Sequence, residues 1–388
     1  MKVYIYNAKR SPIGKYKKSL SRTGCREIGK QVVKGLFNSK LKPQMVDKVI
    51  SGNVLSAGLG QNIARQILID SGVAPEKCAV SINMVCGSGL KSINYAFDEI
   101  KMGNAHCVVA GGVENMSMAP ILVDKDEENK VRKDCMLYDS LTDTFSEKHM
   151  GITAENVAEK YGITREEQDK FALESQKKAC KAIARNRFKK EIVPIELKNG
   201  NIFSQDEFPR PNSTLEALEK LKPAFKEDGT VTAGNASGIN DGGAFMFIGD
   251  ETIKAKPMVE IIDFAESGCD ADYMGFAPYY AINKLLDKTN VNIRDVGLFE
   301  INEAFAAQSI AVIRELAKKH KLNEKDFMKK INVNGGAIAL GHPVGASGAR
   351  ILTTLVYEMK KRKVKYGIAS LCIGGGMGIA VLVKNVGV

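Results

Sequence analysis

One pattern of secondary structure is predicted twice in this chain, once towards each end. In the first copy, residues 46–52 form a strand that runs into a glycine, a helix lies within 89–103, and residues 105–112 form a buried strand that ends in glycines. The apolar residues of that helix recur every three or four positions, as on a buried helix face. In the second copy, Gly348 opens a similar helix and residues 366–373 form a strand that ends in three glycines. The repetition predicts two α/β halves with strands of the parallel type.

The middle of the chain lacks this pattern and is predicted to be an inserted domain. It is rich in charged residues, and helical periodicity over 152–188 is broken at Tyr161-Gly162. A capping box, Thr164-Arg165-Glu166-Glu167, opens the second of these helices. The charged run 124–134 predicts a solvated loop.

A strand predicted over 244–248 returns the chain to its first half. The 388 residues are enough for two or three domains. Three parts are expected: an N-terminal half of residues 1–117 plus 241–256, an inserted domain of residues 118–240, and a C-terminal half of residues 257–388.

Composition excludes several classes of protein. The net charge is +11, but the lysines are scattered, tryptophan is absent and no basic block is interleaved with aromatic residues. This favours a lysine-rich surface over a nucleic-acid interface. The eight cysteines include no Cys-x-x-Cys pair, so a zinc or iron–sulfur site is not expected, and free thiols favour a reducing, cytoplasmic location. No apolar run is long enough to span a membrane, and the N-terminus reads as a strand rather than a signal peptide.

Two cysteines and a histidine are the candidate catalytic residues. Cys86 lies in Asn-Met-Val-Cys-Gly-Ser-Gly, Cys372 in Leu-Cys-Ile-Gly-Gly-Gly, and His342 between them in Gly-His-Pro. A thiol nucleophile, an imidazole that activates it and a second proton-transfer group are typical of an acyl-transfer enzyme. We interpret the adjacent glycines as allowing backbone N–H groups to approach the substrate. Taken singly, each residue has an ordinary alternative: a buried structural thiol, a loop histidine and an apolar filler at a strand end.

Four ordered blocks resemble the thiolase family over nearly the whole chain. They are the motif around Cys86, the segment Asn302-Glu303-Ala304-Phe305-Ala306, Gly341-His342-Pro343 and Cys372-Ile373-Gly374-Gly375-Gly376. The resemblance implies an α/β thiolase fold, in which two pseudo-repeated βαβαβαββ halves form a five-layered αβαβα arrangement with an inserted loop domain.

The resemblance also implies a reaction. His149-Met150-Gly151 and Cys86-Gly87-Ser88-Gly89 are similar to the short-chain, acetoacetyl-CoA-forming members. These catalyse a reversible Claisen condensation of two acetyl-CoA into acetoacetyl-CoA and CoA through an acetyl-cysteine, here Cys86. Coenzyme A is then a substrate and product, and no cofactor or metal is expected. The alternatives are a degradative 3-ketoacyl-CoA thiolase of broader specificity and a non-catalytic CoA- or lipid-binding relative.

Roles for individual residues follow from the same resemblance. His342 activates Cys86, Cys372 acts as the second acid/base, Asn302 contributes to an oxyanion hole through a water, and the N–H groups of Cys86 and Gly374 form a second hole. The alternative for Asn302 is a helix N-cap. The implied contacts of substrate and coenzyme A are His149, Met150, Arg210, Leu221, Phe225, Ala236, Ser237, Met274, Ala304 and Phe305. Core packing for the apolar members and a solvated surface position for Arg210 are the alternatives.

The expected assembly is a homodimer, with a homotetramer as the larger alternative. The segment 121–141 is shorter than the tetramerisation loop usual in this subfamily and lacks its glycines, so the dimer is favoured. The sulfurs of Cys86 and Cys372 are expected to lie close together, and under oxidation they would form a disulfide if their Cα atoms are about 5–6 Å apart.

Overall fold

The computed structural model describes residues 1–123 and 132–387. Its strands are β1 Val3–Arg10, β2 Gly14–Lys15, β3 Lys48–Gly52, β4 Cys78–Ile82, β5 Cys107–Asn115, β6 Ile121–Val123, β7 Arg132–Asp134, β8 Ile195–Glu196, β9 Ile202–Phe203, β10 Asn240–Asp250, β11 Val259–Gly268, β12 Val296–Ile301, β13 Tyr366–Ile373 and β14 Met377–Asn385. Its α-helices are α1 Cys25–Lys34, α2 Ile63–Asp70, α3 Ser88–Lys101, α4 Met150–Tyr161, α5 Arg165–Ala184, α6 Leu215–Glu219, α7 Ala277–Thr289, α8 Ala306–Lys319, α9 Glu324–Met328, α10 Ala337–Leu340 and α11 Ser347–Arg362.

A 10-stranded sheet runs through both halves of the chain. Its order is β12-β13-β14-β11-β1-β10-β5-β3-β4, with β2 paired to β10. The strands β3, β4 and β5 are parallel, as are β12 and β13, but the other pairings are antiparallel. The prediction of parallel strands is therefore wrong for the middle of the sheet. One reason is local: three glycines join β13 to β14, and so short a connection allows only an antiparallel pair.

The two faces of the strands pack into different cores. On β10, Ala244, Met246 and Ile248 pack into a central core, whereas Phe245 and Phe247 pack into an outer one. Alternate side chains of a strand point to opposite faces, so a strand with apolar residues on both faces must be covered on both sides. β13 and β14 divide in the same way between the central core and a second outer core.

Helices cover the sheet in layers. α3 and α11 pack against each other in the middle and contact strands of both halves. α1 and α2 cover the outside of the first half, and α7 and α8 lie on the outside of the second half. The five-layered α/β arrangement expected from the sequence is confirmed.

The middle segment carries the helices that its periodicity predicts. α4 ends at Gly162, whose φ of +60° is the left-handed conformation that favours glycine. α5 begins after Thr164 with the predicted capping box. The predicted loop over 124–134 lies partly outside the described residues, but its last three residues form β7, which pairs with β6. The loop prediction is wrong there because pairing with β6 outweighs the charge of the three side chains.

Candidate active site

Cys86 lies in a strained turn between β4 and α3. Val85 has a φ of +45°, which is rare for a β-branched residue and costs about 1–3 kcal/mol. Hydrogen bonds stabilise the turn: the Val85 N–H donates to Asn83 Oδ1 at 2.9 Å, and the Ser88 hydroxyl donates to the Val85 carbonyl at 2.7 Å. The turn presents Cys86 just before the positive N-terminal end of α3, whose field favours negative charge on the sulfur.

The glycines beside Cys86 are required by packing. A Cβ on Gly87 would lie 2.4 Å from Cδ1 of Ile373, and one on Gly89 would lie 2.8 Å from the Gly345 carbonyl oxygen. Both contacts join the N-terminal half to the C-terminal half. At Gly374 a Cβ would make only ordinary contacts, at 3.4 Å or more. Our interpretation of the glycines as openings for substrate is therefore wrong at Gly87 and Gly89.

His342 carries its proton on Nδ1. Nδ1 lies 2.5 Å from Ser347 Oγ, and the Ser347 hydroxyl itself donates to the Pro343 carbonyl at 2.8 Å. A hydroxyl has one proton, so Oγ must accept from Nδ1–H, which leaves Nε2 with a free lone pair. Nδ2 of Asn302 lies 3.5 Å from Nε2, in agreement with this tautomer. Burial, with a smaller contribution from the charge of Arg350, lowers the pKa of His342 to about 4, so the imidazole is neutral.

The backbone of His342 is fixed from the other half of the chain. Its N–H donates to Asn240 Oδ1 at 3.0 Å. The preceding Gly341 has a φ of +102°, and a Cβ there would lie 2.4 Å from Cγ of Asn240. Only glycine satisfies both the conformation and the close contact.

Cys372 is buried, whereas Cys86 is half-buried at the cavity. Burial raises the pKa of Cys86 to about 11, although the Gly374 N–H donates a hydrogen bond to its sulfur and partly opposes this shift. Burial also raises the pKa of Cys372, and a negative charge on Cys86 raises it further. The two sulfurs are therefore near enough to interact electrostatically, and both thiols are free. The expectation that they form a disulfide under oxidation stays a prediction.

The three groups line one cavity of about 340 Å³. Of the predicted residues, those that line it are Cys86, His149, Met150, Arg210, Phe225, Ala236, Ser237, Met274, Ala304, Phe305, His342 and Cys372. Asn302 and Gly374 lie behind this lining and contact His342 and Cys86. Ala224, Ala233 and Gly238 also line it, in the same segments as the predicted Phe225, Ala236 and Ser237. Lining residues that the sequence analysis missed are Met116, Ser140, Leu141, Phe208, Ile239 and Val344. No motif marks these six residues, because they come from five separate segments.

Leu221 does not reach the cavity, which corrects its assignment. It packs with a small cluster that includes Leu218, Ala306 and Ile338. α6 ends at Glu219, and the following turn directs Leu221 towards α5 and α8. Phe225, four residues later, is the side chain of this segment that lies at the cavity.

Aromatic rings form one wall of the cavity. His149 stacks on Phe225 with ring centroids 4.4 Å apart, and Phe225 meets Phe305 edge to face at 6.2 Å. Nδ1 of His149 accepts the Gly151 N–H at 3.0 Å and so caps α4. Burial lowers the pKa of His149, so its neutral ring carries the proton on Nε2. A Cβ on Gly151 would lie 2.1 Å from the Phe225 ring, so glycine is needed for this stack.

The Ala236–Ser237 part of the cavity lining is joined to the Asn302 segment by backbone hydrogen bonds. Ala236 forms a bridge with Phe305, and the Ser237 N–H donates to the Ala304 carbonyl at 2.8 Å. Arg210 lies at the exposed end of the cavity with its guanidinium 5.1 Å from the Phe208 ring. Within the described ranges, no carboxylate forms a salt bridge with Arg210.

A second cavity of the molecule does not contain the residues of the predicted acyl-transfer site. This cavity of about 430 Å³ lies between α5, α8 and α9, and none of the predicted site residues line it. Across residues 1–123 and 132–387, no cluster of three histidine, cysteine or acidic side chains is arranged to bind a metal ion. No helix in the same ranges has the length and apolar character of a membrane span.

Comparison with known proteins gives one consistent result. Family models for the thiolase N-terminal and C-terminal domains match residues 3–252 and 255–385. The chain is 48% identical to acetyl-CoA acetyltransferases of Syntrophomonas wolfei and of Escherichia coli, in each case over 98% of both chains. The acetyl-CoA acetyltransferase of Bacillus anthracis superposes with a TM-score of 0.93 at 39% identity over 99% of both chains. Human mitochondrial 3-ketoacyl-CoA thiolase in complex with CoA gives a TM-score of 0.93 at 40% identity over 99% of this chain and 98% of that one.

Proposed function

The chain belongs to the thiolase family, as its four sequence blocks predict, and we propose that it is an acetyl-CoA acetyltransferase. It condenses two acetyl-CoA into acetoacetyl-CoA and CoA and also catalyses the reverse thiolysis. The main support for this proposal is that Cys86, Cys372 and a neutral His342 line the same cavity. Relatives named as acetyl-CoA acetyltransferases match over nearly the full length of the chain.

In the first step Cys86 is the nucleophile. Nε2 of His342 accepts the thiol proton as the sulfur attacks the acetyl-CoA carbonyl, so Cys86 itself is never a free thiolate. The N–H groups of Cys86 and Gly374 stabilise the resulting oxyanion. The CoA sulfur leaves as a thiolate and takes the proton of Cys372. The products are acetyl-Cys86, CoA, an imidazolium at His342 and a thiolate at Cys372, so every proton is accounted for.

In the second step Cys372 is the base. Its thiolate removes a proton from the methyl group of the second acetyl-CoA, which breaks the C–H bond and leaves the electron pair in an enolate. The imidazolium at His342 and the Asn302 amide stabilise the enolate oxygen. The enolate carbon attacks acetyl-Cys86, the C–S bond breaks, and the leaving Cys86 sulfur recovers its proton from His342. All three residues return to their starting states.

The remaining cavity residues bind the CoA part of the substrate. The stacked rings of His149 and Phe225, with Met274 and Phe305, contact the apolar pantetheine chain. His149 Nε2–H and the Ser237 hydroxyl are donors for its amides. Arg210, which has no acidic partner in the described ranges, binds a phosphate of CoA.

The reaction uses CoA as substrate and product, so we propose that it needs no other cofactor and no metal. The free thiols favour a cytoplasmic location. The domain boundaries at 117, 240 and 256 remain our prediction, and we propose a homodimer that forms through the edge of the sheet at β4.

The second candidate is a degradative thiolase, which the similarity to human mitochondrial 3-ketoacyl-CoA thiolase favours. One experiment tests both: thiolysis of 3-ketoacyl-CoA substrates of increasing chain length by wild type, Cys86→Ala and Cys372→Ala. We expect wild type to prefer acetoacetyl-CoA and both variants to lose about 10³-fold or more in kcat. Equal or higher kcat/KM on long chains would favour the degradative enzyme. An active Cys372→Ala variant would contradict the second step.

A further inference from the structure

Cys372 lies in apolar surroundings at the buried end of the cavity. The side chain is 1% exposed. The residues that pack around it are Met150, Ala154, Val231, Ala236, Met274, Ala304, Phe305 and Phe225. The proposed reaction requires Cys372 to alternate between thiol and thiolate, and the thiolate is unfavourable in such surroundings because it has lost its hydration.

Gln308 is the polar side chain that contacts this sulfur. Its Oε1 lies 3.7 Å from Cys372 Sγ, within the range of a hydrogen bond from a thiol. In residues 1–123 and 132–387, no other side chain hydrogen-bonds to Sγ. Cys86 differs in this respect, because the Gly374 N–H donates to its sulfur and His342 lines the same cavity.

The position of Gln308 is fixed by its surroundings. It lies in the first turn of α8 and is 0% exposed. A Cβ on Gly275 would lie 2.6 Å from the Gln308 Cβ, so a glycine at 275 leaves the space that the glutamine occupies. Nε2 of Gln308 is buried and has no hydrogen-bond partner among the described residues. An unpaired buried N–H is unfavourable, which indicates that this amide has a use beyond packing.

We propose that Gln308 is the positioning residue of Cys372. Its Oε1 accepts the S–H of the thiol and so directs the proton, and its Nε2–H donates to the thiolate once the proton has left. The terminal amide torsion of glutamine is broad and roughly two-fold, so a half-turn exchanges the acceptor for the donor without moving the rest of the side chain. This inference rests on the proposed function, in which Cys372 removes the methyl proton.

The proposal predicts a selective defect. Acetylation of Cys86 depends less on Gln308, because CoA is itself a stable thiolate and can leave, or attack in the reverse direction, without exchanging a proton with Cys372. Removal of the methyl proton depends on it fully. The two steps are measured separately: the first as exchange of labelled CoA into acetyl-CoA, the second as loss of deuterium from acetyl-CoA with a deuterated methyl group.

The test variant is Gln308→Met, which keeps the length of the side chain and removes both hydrogen-bonding groups. We expect CoA exchange within about fivefold of wild type, and deuterium loss and the kcat of thiolysis lower by roughly 10²-fold, with KM for acetoacetyl-CoA within about threefold. Gln308→Glu, which is isosteric but ionisable, is the second variant. Its carboxylate would repel the thiolate, so we expect the same selective defect.

A matched control removes a buried amide elsewhere. Asn283 is buried on α7 and hydrogen-bonds to the Tyr279 carbonyl and to His320, away from the cavity. Asn283→Leu should keep all three rates within about threefold of wild type. The proposal would be overturned if deuterium loss and thiolysis stayed within threefold of wild type in both Gln308 variants. It would also be overturned if CoA exchange fell by the same factor as deuterium loss. Failure of the proposed function would look different, because wild type itself would then catalyse neither exchange nor thiolysis.

Discussion

The hydroxyl of Ser347 determines which nitrogen of His342 carries the proton. It donates to the Pro343 carbonyl and therefore accepts from Nδ1–H. Nε2 is left free to accept a proton, which is what activation of Cys86 requires. A histidine with the other tautomer would present an N–H to the thiol and could not act as its base.

Ser347→Ala is therefore expected to slow acetylation of Cys86. Without the acceptor at Nδ1 the tautomer is no longer fixed, and we expect roughly a 10- to 100-fold fall in the rate of acetyl-enzyme formation. Rapid quenching followed by mass spectrometry of the acetylated protein measures this rate. The variant also loses the hydrogen bond from the first residue of α11 to the Pro343 carbonyl, which costs about 1 kcal/mol of stability.

Thr353→Val is the matched control for this loss of stability. Thr353 is buried on the same helix, and its hydroxyl donates to the Ala349 carbonyl at 2.8 Å without contacting His342. Acetylation at the wild-type rate in Thr353→Val, with a slow Ser347→Ala, supports the role in the tautomer. Equal rates in the two variants would refute it.

At the scale of the elements, the approach of α3 to α11 brings Cys86 to the C-terminal half. A Cβ on Gly89 would lie 2.8 Å from the Gly345 carbonyl oxygen and 3.0 Å from the Ala349 amide nitrogen. Both neighbours are backbone atoms, so they cannot rotate away. Any larger residue at 89 must separate the helices.

Gly89→Ala should therefore destabilise the protein and reduce its activity. We expect a loss of about 1–3 kcal/mol in the free energy of unfolding, measured in urea, together with a lower kcat because the start of α3 moves. Gly24→Ala is the control, since a Cβ there meets nothing within 4 Å. Its stability should change by about 0.5 kcal/mol or less. Equal stability of the two variants would show that a Cβ at position 89 fits between α3 and α11 without separating them.

The elements that the sequence predicts best are those whose pattern is local. The strand predicted over 366–373 has the same bounds in the structure, and the break at Gly162 and the capping box at Thr164 are present. The direction of the central strands was predicted wrongly, because direction depends on which strands are paired rather than on periodicity within one strand. Gln308 was missed for a similar reason, because its contact with Cys372 depends on the packing of the fold. Ser347 contacts His342 across a single turn, but the Gly-His-Pro motif does not extend to it.

At the scale of the whole molecule, the predicted site residues come from all three parts of the chain. Cys86 belongs to the first half, His149 and Phe225 to the middle segment, and His342 and Cys372 to the second half. The motifs predict the residue types of the site, but not its distances, which are set by contacts between the halves. The assignment of Leu221 failed because the direction of a single side chain after α6 depends on such contacts.

The edge of the sheet is the structural basis for the proposed homodimer. β4 is the last strand of the 10-stranded sheet and pairs only with β3 in the described ranges. Val80 at its centre is 47% exposed, and Tyr95 on the following helix is 42% exposed. An exposed apolar edge strand is a site for pairing with another chain, and a second copy related by a two-fold axis would place β4 beside β4.

Val80→Lys should convert the dimer to a monomer, because it places two like charges on either side of the two-fold axis. Light scattering after size exclusion measures the mass, which should fall by about half at micromolar concentration. Ile202→Lys is the control: Ile202 is 61% exposed in a separate two-stranded sheet, and its substitution should leave the mass of the dimer unchanged. A Val80→Lys variant that is still dimeric would exclude β4 as the interface. Cys86 follows β4 by only four residues, so the monomer should also show a lower kcat than the dimer.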